Sequence, residues 1–265
     1  MKFISFGSGS CGNCYYIFSN GCGILIDAGI GIRKLKKSFS DNGLSLSDVK
    51  YILITHDHAD HVKAVGVISN AYGLPVYATN RVHEGIRRNY CVNKKVDSNN
   101  IRMLSVDERL TVGEFTVEPF SVPHDSLDNV GYKITVENKT FCLMTDVGRI
   151  TDEVSAAISE ADYLVIEANY DENMLWSGKY PVSLKRRVSG GDGHLSNMQC
   201  AKAIVSYASD NLCHVWLCHL SGDNNRPDIA LETVKEVLGK SDNNRLKSLQ
   251  IDVLRRGVVS RIFEM

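Results

Sequence analysis

The sequence predicts an α/β protein made of two mixed halves. Short apolar or alternating strands are interspersed with helical segments in both the N-terminal and the C-terminal part of the chain. No Pro- or Ser-rich linker, low-complexity tract or short-period repeat separates the two parts, so we expect residues 1–265 to form a single domain. With 265 residues, 43% of them hydrophobic, the chain is long enough to bury a large core.

The predicted elements follow in a regular order. Strands are expected at 2–6, 15–18 and 24–26, between glycines and asparagines that form tight turns. A helix is expected at 32–39. It is followed by a βαβ unit: a strand at 51–54, a helix with Val62, Val65 and Ile68 on one face, and a strand at 75–78. Strands at 115–119, 131–136 and 141–144 precede a C-terminal third of alternating strands and helices. There, Ser196 and Gln199 have the spacing of a capping box, and Pro227 suits the first turn of a helix.

Charge and cysteine content exclude several classes of protein. The 30 Lys and Arg and 31 Asp and Glu residues give a net charge of −1, so nucleic-acid binding would need a local basic patch. The 8 cysteines do not form the dense framework of a disulfide-rich protein, and several lie in apolar runs, where reduced Cys acts as a small hydrophobe. The chain has no signal-peptide pattern and no apolar run near the roughly 20 residues of a membrane span. We therefore expect a cytoplasmic protein that does not engage a membrane.

The strongest chemical signal is a histidine-rich segment directly after the strand at 51–54, which reads Thr-His-Asp-His-Ala-Asp-His. Imidazoles and carboxylates are good ligands for Zn, Mn or Fe, and so dense a polar group at a strand end is costly unless a cation organises it. His56 and His58 can reach one ion from an extended turn, while Asp60 and His61 open the next helix and can reach a second. The alternative is a polar surface loop, but such loops rarely concentrate histidine in this way.

Three more ligand candidates follow other apolar runs. His124 comes after the strand at 115–119, Asp146 after the strand at 141–144 and His219 after the run at 215–218. A single histidine in such a place is more often a structural residue with a hydrogen bond. Together with the histidine-rich segment, however, the three residues supply enough ligands for a two-metal site.

This ordered pattern, His-x-His-x-Asp-His followed by a lone His, an Asp and a final His, resembles the metallo-β-lactamase superfamily over nearly the whole chain. The resemblance implies a four-layer αββα sandwich, with two mixed sheets flanked by helices. It also implies that one metal ion is held by His56, His58 and His124, the other by Asp60, His61 and His219, and that Asp146 bridges the two. Asp27 resembles an early Asp motif of the superfamily and is expected to orient the metal-binding loop, although an ordinary Asp at a strand-to-turn boundary has the same pattern.

Two further segments resemble phosphodiesterase branches of the superfamily, notably ribonuclease Z. Glu167 ends a strand, and His194 lies directly before a capped helix. The resemblance implies that Glu167 orients His194, which donates a proton to the leaving oxygen. Without the resemblance, His194 could equally be a structural residue. Several segments are similar to the YycJ/WalJ family of bacterial metallo-hydrolases, which is associated with 5′-to-3′ exonuclease activity on DNA. They are the glycine-rich segment at 7–13, the surroundings of Glu167, His194 and His219, and Asn-Asn-Arg-Pro at 224–227.

Two familiar motifs fit less well. Residues 7–12 match the G-x-G-x-x-G of dinucleotide sites, but that fingerprint opens a helix, whereas the residues after Asn13 continue as a strand. We expect a tight loop beside the metal site instead. Cys11 and Cys14 form a C-x-x-C pair that lacks both the further ligands of a zinc site and the helix start of a redox motif. His83 and His214 have no motif around them and are expected to be surface or core residues.

Basic residues cluster at 33–37, 81–88 and 179–187, and such runs are usually solvated faces. The last run contains Lys179 and residues 185–187 and lies between Glu167 and His194. It could therefore hold a nucleic-acid backbone while Tyr170, Trp176 or Tyr180 stacks a base.

We therefore predict a hydrolase with two divalent metal ions (Zn, Mn or Fe), best described as a 5′-to-3′ exodeoxyribonuclease that acts through a metal-bound hydroxide. The predicted catalytic residues are Asp60, Glu167 and His194, with His194 as the general acid. DNA is the expected partner, with RNA as the alternative. A small-molecule or cyclic-nucleotide phosphodiesterase and an RNA-processing nuclease of the same fold are the other candidates. The Glu167 and His194 pair argues against a thioesterase or a lactonase, and the intact ligand set argues against a binding protein without turnover.

Overall fold

A computed structural model describes residues 1–106 and 108–265 of the chain. The strands in this part are β1 (Lys2–Gly7), β2 (Cys14–Ser19), β3 (Cys22–Ile26), β4 (Val49–Leu53), β5 (Val76–Ala78), β6 (Ile101–Met103), β7 (Leu110–Val112), β8 (Phe115–Ser121), β9 (Val130–Val136), β10 (Lys139–Met144), β11 (Tyr163–Glu167), β12 (His214–Cys218), β13 (Gln250–Val253) and β14 (Phe263–Glu264). The α-helices are α1 (Ile32–Asp41), α2 (Ala59–Val62), α3 (Val65–Tyr72), α4 (Asn80–Arg88), α5 (Asp152–Glu160), α6 (Glu172–Ser177), α7 (Val182–Val188), α8 (Asn197–Tyr207), α9 (Pro227–Gly239) and α10 (Asn244–Lys247).

The chain divides into two compact units. Unit 1 consists of Met1–Glu114, Ser126–Asn129 and Arg255–Met265, and unit 2 of Phe115–Asp125 and Val130–Leu254. The expectation of one domain over residues 1–265 stays a prediction.

Within the described residues, unit 1 holds a mixed seven-stranded sheet in the order β14-β1-β2-β3-β4-β5-β6. The pairs β1–β2 and β2–β3 are antiparallel, whereas β3, β4, β5 and β6 are parallel to one another. Helix α1 buries Leu35 and Phe39 in an apolar cluster with Ile4, Phe6 and Tyr16 of the sheet. The parallel part of this sheet therefore brings the carboxyl ends of β3 and β4 to one edge.

The helix predicted around Val62, Val65 and Ile68 is wrong in one respect, because the structure has two helices, α2 and α3, in its place. The N–H of Ala64 donates to the carbonyl of Ala28 at 3.0 Å, and the carbonyl of Asp60 accepts from the N–H of Asn13 at 2.8 Å. These bonds to distant parts of the chain replace the helical bond between residues 60 and 64 and interrupt the helix.

A second mixed sheet has seven strands in the described part of the chain. Six of them, β8 to β13, belong to unit 2 and lie in the order β13-β12-β11-β10-β9-β8. Strand β9 is antiparallel to both β8 and β10, and β10, β11, β12 and β13 are parallel to one another. Strands β8, β10, β11 and β12 therefore all end at the same edge of the sheet.

Helices α5, α8 and α9 pack on this sheet around a buried apolar cluster that includes Ile158, Ile204, Val234 and Leu217. Both predicted helix starts are confirmed: Ser196 and Gln199 form the two bonds of a capping box at α8, and Pro227 opens α9. The predicted fold class, an α/β protein with two mixed sheets flanked by helices, is thus confirmed. None of the helices in the described residues is long and apolar enough to cross a membrane.

Candidate metal centre

Asp27 anchors the histidine-rich segment in unit 1. It follows β3 in the left-handed region of the backbone (φ 62°) and is fully buried. Its Oδ1 accepts from the Thr55 N–H at 2.9 Å, and its Oδ2 lies 2.7 Å from Nδ1 of His61. Since β3 and β4 are adjacent parallel strands with Ile26 opposite Leu53, residues 27 and 55 meet at the sheet edge. Asp27 thus contacts the segment in the way expected of an orienting residue.

The four ligand candidates of this segment lie close together. The ring centroid of His56 is 4.0 Å from that of His61 and 4.7 Å from that of His58. Oδ2 of Asp60 lies 3.6 Å from Nε2 of His61. His56 and His61 are fully buried, whereas Asp60 and His58 are partly exposed. This group gives a dense set of imidazole and carboxylate donors on one short segment.

Sequence reasoning missed Asn13, which touches this group. Its Nδ2 lies 2.8 Å from Nε2 of His61 and donates to Oδ2 of Asp60 at 3.2 Å. Its Oδ1 accepts from the N–H of Gly9 at 2.7 Å. The glycine-rich loop therefore lies beside the histidine-rich segment, and its expected place beside a metal site stays a prediction. Gly12 has a φ of 139°, and a Cβ there would lie 2.6 Å from the carbonyl oxygen of Gly29, so only glycine fits.

In unit 2, the remaining candidates follow strands that end at one sheet edge. Asp146 comes after β10 and His219 after β12, both in the left-handed region, with φ values of 57° and 54°. His124 follows β8, and its Nε2 lies 3.6 Å from Oδ1 of Asp146. Nδ1 of His124 lies 3.0 Å from the carbonyl oxygen of Gly193, next to His194. The structure thus brings the unit 2 candidates together.

Glu167 lies at the centre of this group and is fully buried. Its Oε1 lies 2.8 Å from Nδ1 of His194 and 2.9 Å from Nδ1 of His219. Its Oε2 accepts from the N–H groups of Val147 at 2.8 Å and Leu195 at 3.2 Å. The contact that the resemblance implied with His194 is therefore present, and Glu167 also holds His219.

Glu167 and His194 each stabilise the charged form of the other. Burial by itself raises the pKa of the Glu167 carboxyl, but the imidazoles of His194 and His219 together outweigh it, so that this pKa lies below its ordinary value. Burial lowers the pKa of His194, and the carboxylate of Glu167 outweighs that effect and raises it above its ordinary value. The pair therefore favours a carboxylate beside a protonated imidazole.

Asn169 is a second residue that the sequence did not single out. Its Nδ2 donates to the carbonyl oxygen of His219 at 2.8 Å and to Oε1 of Glu167 at 3.3 Å. It follows Glu167 by two residues, and a lone asparagine at such a position carries no pattern of its own. Its place beside two charged or ligating groups suggests a role in holding their orientation.

The donor sets fit divalent metal ions. In unit 2, Asp146, Glu167, His194 and His219 each offer a ligand atom, and these atoms lie within 4.8 Å of one another. In unit 1, a ligand nitrogen of His56 lies within 4.8 Å of one on His58 and of one on His61. Carboxylate oxygens and imidazole nitrogens, held by buried hydrogen bonds, are the ligand chemistry of zinc and of other first-row divalent metals.

The residues expected to be structural have ordinary partners. Nε2 of His83 lies 2.9 Å from the carbonyl oxygen of Arg102, and Nε2 of His214 lies 2.9 Å from Oδ2 of Asp252. Burial of Cys14 raises the pKa of its thiol well above the ordinary value. This favours the thiol form of Cys14, which is less reactive than the thiolate.

The structure corrects part of the expectation for the basic run. Tyr170 is buried, and burial raises its pKa to about 12, so it cannot stack a base. Lys185 is buried as well, and its Nζ donates to the carbonyl oxygen of Trp176 at 2.7 Å. Trp176 is 51% exposed and Arg186 is exposed, so these two stay available to a ligand.

Comparison with solved structures supports the fold. YhfI from Bacillus subtilis, a metallo-β-lactamase fold protein, matches with a TM-score of 0.71 and 18% identity, over 98% of each chain. The short form of human tRNase Z matches with a TM-score of 0.65 and 15% identity, also over 98% of each chain. At these identities, the likeness concerns the fold alone.

Comparison with other sequences gives the family. Residues 23–215 match the β-lactamase superfamily domain. The exodeoxyribonuclease YycJ of Bacillus anthracis is 34% identical over 238 residues, which cover 90% of this chain and 89% of that protein. The exodeoxyribonuclease WalJ of Streptococcus pneumoniae serotype 2 is 32% identical over 242 residues, which cover 91% of this chain and 90% of that protein. The chain therefore belongs to the metallo-β-lactamase superfamily of metal-dependent hydrolases and, within it, to the family of YycJ and WalJ.

Proposed function

We propose that this protein is a metal-dependent exodeoxyribonuclease that removes nucleotides from DNA in the 5′-to-3′ direction. The observation that carries the proposal is the 2.8 Å contact between Nδ1 of His194 and the buried Glu167, beside the carboxylate of Asp146. This contact holds one ring nitrogen and directs the other away from the carboxylate, as a proton donor requires. The names of the relatives YycJ and WalJ support DNA as the substrate.

The ligand assignment given by the superfamily resemblance is part of the proposal. One ion would be held by His56, His58 and His124, a second by Asp60, His61 and His219, and both by Asp146. Divalent ions bound there would polarise the phosphoryl oxygens and make water a nucleophile near neutral pH. Zn, Mn and Fe all suit this donor set.

The chain's own residues would then orient groups and move one proton. Asp27 and Thr55 fix the ring of His61 through the contacts at its Nδ1 side. Glu167 keeps His194 protonated and fixes its ring, so that Nε2 can donate a proton to the leaving 3′-oxygen. Asp60 would help to hold its ion and would orient the reacting water.

The test is turnover of the purified protein, loaded separately with Mn²⁺ and Zn²⁺, on 5′-labelled single-stranded and double-stranded DNA. Matched RNA and a chromogenic phosphodiester serve as the competing substrates. We expect stepwise release from the DNA 5′ end, no detectable turnover in Asp60→Ala, and a turnover reduced about 100- to 10,000-fold in His194→Ala. His214→Gln is the matched control, because His214 is a buried imidazole at the opposite end of β12 from His219.

Three results would contradict the proposal. Cleavage of RNA alone would favour an RNA-processing nuclease, and hydrolysis of the small diester without any polymer cleavage would favour a small-molecule phosphodiesterase. Wild-type DNA turnover in His194→Ala would remove the proton-donor role.

The number of metal ions is tested separately. Metal analysis of the purified protein should give two divalent ions per chain, and Asp146→Ala should lower that number, because Asp146 is assigned to both. Asp242→Ala, a change at an exposed residue, is the control. A metal content of one ion in the wild type would refute the dinuclear assignment.

A further inference from the structure

The segment that joins Glu167 to His194 carries a basic and aromatic surface. Helices α6 and α7 occupy residues 172–188, which contain four basic residues and one acidic residue, whereas the net charge of the whole chain is −1. We call Trp176, Lys179 and Arg186 the α6–α7 surface. It belongs entirely to unit 2.

The three side chains of the α6–α7 surface are open to solvent. Trp176 is 51% exposed, although an indole ordinarily buries most of its large apolar area. Lys179 and Arg186 are exposed. Among the residues that the structure describes, no side-chain hydrogen bond or ion pair involves Lys179 or Arg186, so neither cation is neutralised by a neighbouring carboxylate. An exposed indole and two free cations on one short segment are the composition of a surface that binds single-stranded nucleic acid.

Buried contacts hold the α6–α7 surface on a fixed frame. Lys185, which is buried, donates from Nζ to the carbonyl oxygen of Trp176 at 2.7 Å and so ties α7 to the end of α6. The hydroxyl of Tyr180, between the two helices, donates to Oδ2 of Asp223 at 2.9 Å. Because these bonds already restrain the backbone around Trp176 and Lys179, ligand binding there would cost little conformational entropy.

The same frame is bonded directly to the proposed proton donor. The N–H of His194 donates to the carbonyl oxygen of Val188, the last residue of α7, at 2.8 Å. Nε of Arg187 donates to Oδ2 of Asp125 at 2.5 Å, and Asp125 is the neighbour of the ligand candidate His124. A strand bound on the α6–α7 surface would therefore be bound next to the groups that carry the chemistry.

We propose that the α6–α7 surface binds single-stranded DNA, with Trp176 stacked on an unpaired base and Lys179 and Arg186 on the phosphates. The inference rests on the proposed exodeoxyribonuclease function and deepens it, because it names the single strand as the form of DNA that is held. Inside a duplex the faces of the bases are covered by their neighbours, whereas the bases of a single strand are open to stacking on an indole. The two cations supply a local affinity for phosphate, which a net charge of −1 over the whole chain does not provide.

Binding is measured by fluorescence anisotropy of a labelled single-stranded DNA oligonucleotide with phosphorothioate linkages, which resist hydrolysis. Trp176→Ala should raise Kd roughly 5- to 150-fold, and Trp176→Phe should restore most of the affinity. In the double variant Lys179→Gln/Arg186→Gln, the logarithm of the association constant should fall less steeply with the logarithm of the salt concentration. The magnitude of this slope should decrease by about 0.7 for each cation removed. Turnover of a chromogenic phosphodiester should be unchanged in all of these variants, since the small substrate does not reach this surface.

Tyr207→Ala and Lys235→Gln are the matched controls, because both residues are exposed in unit 2 on other helices. Wild-type binding and DNA degradation by Trp176→Ala would overturn the inference and leave the proposed function standing. An effect of Trp176→Ala on RNA but not on DNA would also overturn it. If the wild type neither binds nor degrades DNA, both proposals fail, and turnover of the small diester shows whether the hydrolytic centre is intact.

Discussion

Replacing Glu167 by glutamine is the sharpest test of how unit 2 controls its histidines. The substitution keeps the shape of the side chain and replaces one oxygen by an NH₂ group. The N–H groups of Val147 and Leu195 both point at Oε2, so the amide oxygen of Gln has to stay on that side. The NH₂ group then faces Nδ1 of both His194 and His219, where Oε1 lies in the native chain.

This exchange changes the protonation of both imidazoles. Facing a donor, Nδ1 of each ring has to accept. The ring proton of a neutral His219 therefore moves from Nδ1 to Nε2, whereas the protonated His194 loses its Nδ1 proton and keeps the one on Nε2. His219 then presents an N–H instead of a lone pair to a metal ion, which should lower metal affinity about 10- to 100-fold. His194 becomes a neutral imidazole and loses its function as an acid, which should lower turnover by about 100- to 10,000-fold. Replacing each of these charged hydrogen bonds by a neutral one should also lower the free energy of unfolding by about 1 kcal/mol.

Three assays on Glu167→Gln separate these effects: DNA turnover at saturating metal, metal affinity by competition with a chelator, and the free energy of unfolding in urea. Glu232→Gln, an exposed glutamate on α9, is the matched control. Wild-type metal affinity together with wild-type turnover in Glu167→Gln would refute the reasoning, because the buried carboxylate would then control neither histidine.

Three further predictions concern unit 1. Asp27→Ala should lower the free energy of unfolding in urea by about 3 kcal/mol, because it leaves the buried donors of Thr55 without their acceptor. Gly29→Ala should lower it by about 3 kcal/mol and lower the metal content, since a Cβ there would lie 1.6 Å from the carbonyl oxygen of Asp60. Burial lowers the pKa of His83, so below pH about 6.5 the unfolded chain binds a proton that the folded chain does not. The urea stability should therefore fall as the pH drops below about 6.5 and be fully present above it, and His83→Gln should flatten this dependence.

The controls for these variants are equally specific. Gly31→Ala matches Gly29→Ala, since apart from the two chain neighbours no described residue lies within 4 Å of a Cβ at position 31, and its stability should change little. Asp242→Ala matches Asp27→Ala at an exposed site. The Gly29 prediction fails if Gly29→Ala and Gly31→Ala have equal stabilities. The Asp27 prediction fails if Asp27→Ala is as stable as the wild type. The His83 prediction is contradicted by identical pH profiles of stability for His83→Gln and the wild type.

Much of the fold was predictable because its signals are local. Strands β1, β2 and β3 and the start of α8 follow from alternating apolar residues and from the spacing of Ser196 and Gln199. The break between α2 and α3 was not predictable, because it depends on bonds from Ala64 to Ala28 and from Asn13 to Asp60. These partners are far away in the sequence, and no local pattern announces them.

The candidate site shows the same division. The histidine-rich segment was visible because His56, His58 and His61 are neighbours in the sequence, and ligands on one turn need no tertiary contact to be recognised. The contacts of Asn13 and Asn169 were not predicted: both residues lie in segments that carry the family resemblance, but a single asparagine does not indicate a partner. The burial of Tyr170 and Lys185 was also hidden, since an aromatic and a basic residue in a charged run ordinarily face solvent.

The sequence by itself determined the ligand types, their order at the ends of apolar strands and the two mixed β/α halves, because these depend on residue chemistry and on periods of two and 3.6 residues. The tertiary structure alone decided that Glu167, which the resemblance already paired with His194, also holds His219, and that Trp176, Lys179 and Arg186 stay exposed. Glu167 and His219 are 52 residues apart and meet only because β11 and β12 are adjacent parallel strands that end at the same edge. Exposure likewise depends on what the rest of the chain packs against each side chain, which no local pattern contains.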